Sequence, residues 1–244
     1  MNWRQQCAVV IPCFNESPTI RDVVAAARTF VPTVFVVDDG STDGTADLAS
    51  QAGAIVISQS IRRGKGAALM LGFAAAREER FVYALCMDGD AQHSPADIPG
   101  FFDCCERTGA SLVIGNRFPS AGAMPWVRRG VNRFMTRILS WVAGAQLLDT
   151  QCGFRLLRLS LLSAIQTRTA HFEFESELLI EAIRAGSQVA FVPVRAIYRS
   201  EQSKICPMQD TVRWLLWLAR CVSNGGARRL RRTRRLVPVQ HQLS

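Results

Sequence analysis

CAVVIPCFNESPTIRDVVAAARTFVPTVFVVDDG, residues 7–40, decides how the chain is built. CAVVIP (7–12) is an unbroken apolar run of strand length. SPTIRDVVAAARTF (17–30) repeats apolar residues at helical spacing behind Ser17 as N-cap and Pro18 at the first helical position, and TVFVVDDG (33–40) is a second buried strand. The alternation continues outward. STDGTADLASQAG (41–53) reads as a helix closed by Gly53, AIVISQS as a third strand, GKGAALMLGFAAAREE (64–79) as a third helix and FVYALCMDGD as a fourth strand. Strands that alternate with short helices imply an α/β fold, a mostly parallel sheet with helices on both faces.

From about residue 111 the pattern loosens. SLVIGNRF reads as a strand, PWVRRGVNRFMTRILSWVAG (125–144) as a basic amphipathic helix, FEFESELLIEAIRAG (172–186) as a helix ended by Gly186, and QVAFVPVRAIY as a late strand. PMQDTVRWLLWLARCV (207–222) carries apolar residues on most faces, SNGG breaks the pattern, and ARRLRRTRRL follows. No internal repeat is visible.

Composition bounds the class. At 244 residues with 48% hydrophobic content the chain suits one large domain, alone or with an appendage, and not a disordered or fibrous protein. Residues 1–206 are expected to form the main domain and 207–244 a C-terminal amphipathic helix with an Arg-rich tail. Arg228, Arg229, Arg231, Arg232, Arg234 and Arg235 supply six of the nine excess positive charges, so the rest is only mildly basic. The start runs into Pro12 and Asn15 too soon for a secretory signal, and the longest apolar stretches fall short of the roughly 20 residues that cross a bilayer. The expected location is therefore cytoplasmic. Eight cysteines without a CxxC pair read as reduced, small, buried residues.

In parallel sheets ligands bind beyond the carboxyl ends of the strands. Asn15 and Glu16 follow the first strand, Asp38 and Asp39 the second, Asp88 and Asp90 the fourth, so three strands aim polar groups at one rim. In an extended strand, Asp88 and Asp90 point the same way, and two such acids repel unless a cation lies between them. A hard ion, Mg²⁺ or Mn²⁺, takes one or two carboxylates plus substrate phosphates, and Gln92 offers an amide oxygen. The bland alternative is a loop with Gly89 and a cap. Lys65, between glycines at a helix start, suits phosphate, though a solvated lysine is the commoner outcome.

These residues carry a resemblance. IPCFNE, VVDDGSTDGT, GKGAA, DGDAQH, IGNR, DTQCGFRLLR, FEFESELL and VPVRAIYRSEQSKI, in this order over about residues 7 to 215, resemble family 2 glycosyltransferases of the dolichyl- or polyprenyl-phosphate mannosyltransferase-like branch. The resemblance implies a Rossmann-like GT-A fold and inverting transfer of a hexose from a UDP- or GDP-sugar to a lipid phosphate or glycan acceptor. It implies that Pro12, Asn15, Glu16, Asp38, Asp39 and Lys65 surround the nucleotide and that Asp88, Asp90 and Gln92 hold the metal. Arg117, Arg133, Arg199, Ser203 and Lys204 would face phosphate groups. Cys152 stands where Ser or Thr is usual, Ser17 where a second Glu is common, and Arg199 where close relatives often carry Gly.

A phosphate acceptor needs no general base, whereas a sugar hydroxyl does, and for that role Asp149, Glu173, Glu175 and Glu177 are the candidates. On a helix, Glu173 and Glu177 share one face and Glu175 lies away from it. His93 either orients phosphate or serves the turn before Ser94 and Pro95. The tail from 207 fits an anionic membrane surface on the inner face of the cytoplasmic membrane, with burial of Trp214 and Trp217 against the catalytic domain as the alternative. Two other classes compete: a sugar-phosphate nucleotidyltransferase, which places a Gly-rich loop where IPCFNE stands, and a nucleic-acid-binding protein driven by the arginine run.

Overall fold

The computed structural model describes residues 1–198, 207–225 and 236–237. The chain runs α1 (Trp3–Gln6), β1 (Cys7–Cys13), α2 (Ile20–Phe30), β2 (Val34–Asp38), α3 (Thr45–Gln51), β3 (Ile55–Ser58), α4 (Lys65–Glu78) and β4 (Tyr83–Cys86). It continues with α5 (Ile98–Thr108), β5 (Leu112–Asn116), α6 (Trp126–Ala143), β6 (Arg155–Arg158), α7 (Phe174–Arg184), β7 (Val189–Pro193), α8 (Pro207–Gly225) and β8 (Leu236–Val237).

The strands form one sheet in the order β3-β2-β1-β4-β6-β5-β7-β8. β1 pairs in parallel with β2 (Val9 opposite Val34) and with β4 (Cys7 opposite Tyr83), as continuous apolar runs buried on both faces should. The expected GT-A architecture, a mostly parallel sheet with helices, is what forms. β6 is the departure: it inserts antiparallel between β4 and β5. RLLR is too short to show a period, so nothing local announces it.

Several boundaries move for local reasons. α2 starts at Ile20 with Thr19 as the cap residue, not at Ser17, whose backbone N–H donates to Asp43 Oδ2 at 3.0 Å. The helix expected from Ser41 starts at Thr45, because Ser41 N–H is taken by Asp38 Oδ1 at 3.1 Å and Gly44 turns left-handed at φ 83°. β4 ends at Cys86, so Asp88 and Asp90 lie in a turn and not in extended strand. Ala91, at φ 58°, completes that turn.

One hydrophobic core covers both faces of the sheet, with Phe73, Phe101, Phe154 and Phe174 fully buried. α4 packs so closely on β1 that a Cβ at Gly72 would collide with Val10. α8 contributes Trp214, Trp217 and Cys221 to the same core, and Trp214 Nε1 donates to Ser176 Oγ at 3.2 Å. Burial is thus what these two tryptophans do. The cysteines described are unpaired and buried, as expected. Among the described residues no helix is long and apolar enough to cross a membrane.

Candidate active site

A cavity of about 560 Å³ opens at the carboxyl ends of β1, β2 and β4. At its floor Lys65, the first residue of α4, extends its Nζ to Asp88 Oδ1 at 2.6 Å and to Glu175 Oε1 at 2.9 Å. Burial alone would lower the lysine's pKa, but the carboxylates of Asp88 and Glu175 override it and hold the ammonium above its ordinary value. Burial would raise Asp88, yet Lys65 and then His93 bring it down to about 2. Lys65 and Asp88 are therefore ionised together at neutral pH.

Gly153 lets the chain pass directly over this cluster. A Cβ there would stand 2.8 Å from Asp88 Oδ2, 2.9 Å from Lys65 Nζ and 3.0 Å from Glu175 Oε1. Arg155 fixes the passing loop: fully buried, it donates to the carbonyls of Cys152 at 2.8 Å, Thr150 at 2.9 Å and Glu175 at 2.6 Å. One guanidinium so ties the 150–152 loop to the first turn of α7.

His93 settles into the structural half of its two readings while still lining the cavity. Its Nδ1 accepts the Asp88 N–H at 3.1 Å and its ring stacks on Phe154 at 5.0 Å between centroids. Burial brings its pKa to about 4 against the pull of Asp88, so the ring is neutral with its proton on Nε2.

The end of the cavity expected to hold the nucleotide is built by loop chemistry. Pro12, Asn15, Glu16 and Asp39 line it. Asp39 accepts the backbone N–H groups of Arg63 at 2.7 Å and Gly64 at 2.8 Å, which sets the entry into α4. Asn15, at φ 53°, accepts Thr42 N–H at 2.9 Å. Asp38 is not in the cavity wall; buried, it shapes its own turn through Ser41.

At the opposite end Arg117 enters the cavity while its Nε and Nη2 grip Asp149 at 2.8 and 3.0 Å. Asp149, fully buried and spent on this fork, does not face the cavity as a base would. Glu177 accepts Arg168 N–H, Thr169 N–H and the Thr169 hydroxyl, and Glu173 is buried away from the cavity, which leaves Glu175 as the acid of α7 that lines it. The division of these acids between helix faces matches the spacing. Arg133, expected at a phosphate, instead lies exposed over the Phe118 ring at 5.4 Å. Arg128, one and a half turns earlier, lines the cavity, 5.4 Å from the Tyr198 ring and 3.5 Å from Gln92 Oε1. Gln151, His171, Phe172 and Arg213 also line it. Arg199, Ser203 and Lys204, and the arginines from 228 to 235, lie outside the described residues.

Among the described residues no three His, Cys, Asp or Glu side chains converge as a metal cage. Asp88 and Asp90 both line the cavity, and Asp90 Oδ1 accepts Gln92 N–H at 3.0 Å. This set fits a hard cation that takes one or two carboxylates and completes its shell with water and phosphate oxygens.

The family model described as glycosyl transferase family 2 matches residues 8–165, a span that runs from β1 through β6. The chain belongs to glycosyltransferase family 2. Glycosyltransferase AglJ of Haloferax volcanii is 30% identical over 207 residues, covering 83% of this chain and 67% of its own. Polyprenol monophosphomannose synthase of Mycolicibacterium smegmatis is 28% identical, covering 78% of this chain and 77% of its own, and stands in the branch to which the motifs point. Glucosyl-3-phosphoglycerate synthase from Mycobacterium tuberculosis, crystallised with Mn²⁺, UDP-glucose and phosphoglyceric acid, superposes with a TM-score of 0.70 at 23% identity. That match covers 89% of this chain and 80% of the neighbour, and it carries the GT-A fold. This family 2 enzyme is accordingly a glycosyltransferase.

Proposed function

We propose that the enzyme transfers a hexose, with inversion, from a UDP- or GDP-sugar to a polyprenyl phosphate in a divalent-metal-dependent reaction. One observation carries the reading: Lys65, Arg117 and Arg128 share a single cavity with Asp88 and Asp90, at the rim where an α/β sheet binds ligands. A volume of about 560 Å³ suits a nucleoside diphosphate sugar. The relatives' names support a lipid phosphate as acceptor, as in the polyprenol monophosphomannose synthase.

In this reading the nucleoside lies along Pro12, Asn15, Glu16 and Asp39, and the diphosphate lies by Asp88, Asp90, Gln92 and Lys65. When bound, Mg²⁺ or Mn²⁺ supplies Lewis-acid stabilisation of the leaving diphosphate. Lys65 adds a second fixed positive charge there, held in place by Glu175 and positioned before the reaction begins. Arg117 and Arg128 receive the acceptor phosphate, joined by Arg199, Ser203 and Lys204 on the strength of the family resemblance. A phosphate oxygen attacks the anomeric carbon, and the bond to the donor diphosphate breaks with its electron pair leaving on that diphosphate. The nucleophile is already anionic, so Glu175 serves better as the counter-charge of Lys65 than as a base.

The test is transfer from a panel of UDP- and GDP-sugars to a short-chain polyprenyl phosphate, with and without Mg²⁺ or Mn²⁺. Asp90→Asn is expected to lower transfer by at least roughly a hundredfold, the scale of removing one major electrostatic contributor. Unchanged turnover in that variant would remove the metal role.

A further inference from the structure

Past β7 the chain returns to the cavity. Ala196 pairs with His93 in an antiparallel bridge and Ile197 N–H donates to the Gln92 carbonyl at 3.1 Å, so this segment is fastened to the turn that carries Asp88 and Asp90. Tyr198 follows directly and lines the cavity. Its hydroxyl oxygen is buried and, among the described residues, has no hydrogen-bond partner. A buried hydroxyl without a partner costs stability, and such groups are uncommon in folded proteins. What Tyr198 contributes here therefore belongs to its ring.

The ring carries a guanidinium. Arg128 Cζ stands 5.4 Å from the ring centroid, inside the roughly 6 Å over which an aromatic face attracts a cation. The same guanidinium reaches Gln92 Oε1 only at 3.5 Å, the outer limit of a hydrogen bond, so the ring is the firmer hold. Arg133 gives the comparison within one helix. It follows five residues later on α6, about 140° further round, lies at the same 5.4 Å over the Phe118 ring and stays exposed. Both arginines have an aromatic seat, but the seat fastened beside the Asp88–Asp90 turn is the one that keeps its arginine in the cavity. A free arginine side chain gives up rotamer freedom when it grips a phosphate, whereas one already held in place does not.

We infer that Tyr198 is a positioning residue: its ring holds the Arg128 guanidinium in the cavity before the acceptor arrives, and so sets the affinity for the acceptor phosphate. This rests on the acceptor proposed above.

The test compares Tyr198→Phe, which keeps the ring, with Tyr198→Leu, which removes it, in the full chain with a short-chain prenyl phosphate at saturating donor. Tyr198→Phe should hold the acceptor KM within about twofold of wild type, with a urea midpoint equal or higher because an unpaired hydroxyl is gone. Tyr198→Leu should raise the acceptor KM by about fivefold or more and leave kcat and the donor KM unchanged. In an Arg128→Ala background Tyr198→Leu should add less than about twofold, since the ring then has nothing to hold. A merely structural tyrosine would show its full effect in both backgrounds. A second readout needs no acceptor: the Arg128 side-chain N–H signal, assigned by its absence from Arg128→Ala, should carry a ring-current shift that Tyr198→Phe keeps and Tyr198→Leu loses. An unaltered acceptor KM in Tyr198→Leu, an equal rise in Tyr198→Phe, or additivity with Arg128→Ala would overturn the inference and leave the acceptor reading standing. A wild-type enzyme that uses no prenyl phosphate would instead overturn the acceptor reading and, with it, the role given to the ring.

Discussion

Lys65 stands 2.6 Å from Asp88 and 2.9 Å from Glu175, and the backbone at Gly153 seals the cluster from above. The atoms a Cβ at 153 would meet are all ends of side chains, which can shift. The strain of Gly153→Ala is therefore expected to fall on the geometry of the charges and not on the fold: kcat/KM should drop by about tenfold or more, with Tm changed little. A large fall in Tm with unaltered kinetics would show that the glycine serves packing instead. Lys65, Asp88 and Glu175 were each legible in the sequence as candidates. Their mutual contact was not, because they are contributed by α4, the turn after β4 and α7, and only closure of the sheet brings those segments together. Arg155 was harder still: a buried arginine that donates only to carbonyls leaves no pattern in its neighbours.

At the scale of elements the strongly periodic pieces were readable and the short ones were not. β1, β2, α4 and α7 form close to where apolar spacing and glycine punctuation place them. β6 has four residues and no alternation, and its antiparallel place between β4 and β5 comes from its partners. The turn after β4 likewise overrides the strand pleat that seemed to align Asp88 with Asp90; the same residues still meet the same cavity by a different backbone path. Helix α6 shows what spacing leaves open. Arg128 and Arg133 look alike in sequence, yet the rotation of the helix turns the first into the cavity and the second to solvent. Arg128→Ala is expected to raise the acceptor KM by about tenfold or more, the loss of one charge-assisted contact, whereas Arg133→Ala should change it less than about twofold. Steady-state kinetics at saturating donor distinguish them, and equal effects would mean that the helix is rotated in the complex.

Over the whole molecule, one core joins the sheet, α7 and α8. Trp214 and Trp217 are 5% and 7% exposed, and Arg184 reaches the Cys221 carbonyl at 2.9 Å. Trp214→Ala is expected to destabilise the full chain by about 3–5 kcal/mol in urea unfolding, the cost of a large buried aromatic. A cost under about 1 kcal/mol would mean that α8 is dispensable to the body of the enzyme.

The sequence by itself determined the layered sheet and the rim that would bear the chemistry, because apolar period and punctuation are local and each strand end declares its own polar residues. Tertiary structure alone decided which of those residues answer one another. Whether an arginine faces a cavity, whether an acid is bound to a neighbour such as Arg117, and which face of α6 is covered all depend on contacts between segments tens of residues apart. Those contacts exist only once the core has packed and fixed each helix in its rotation.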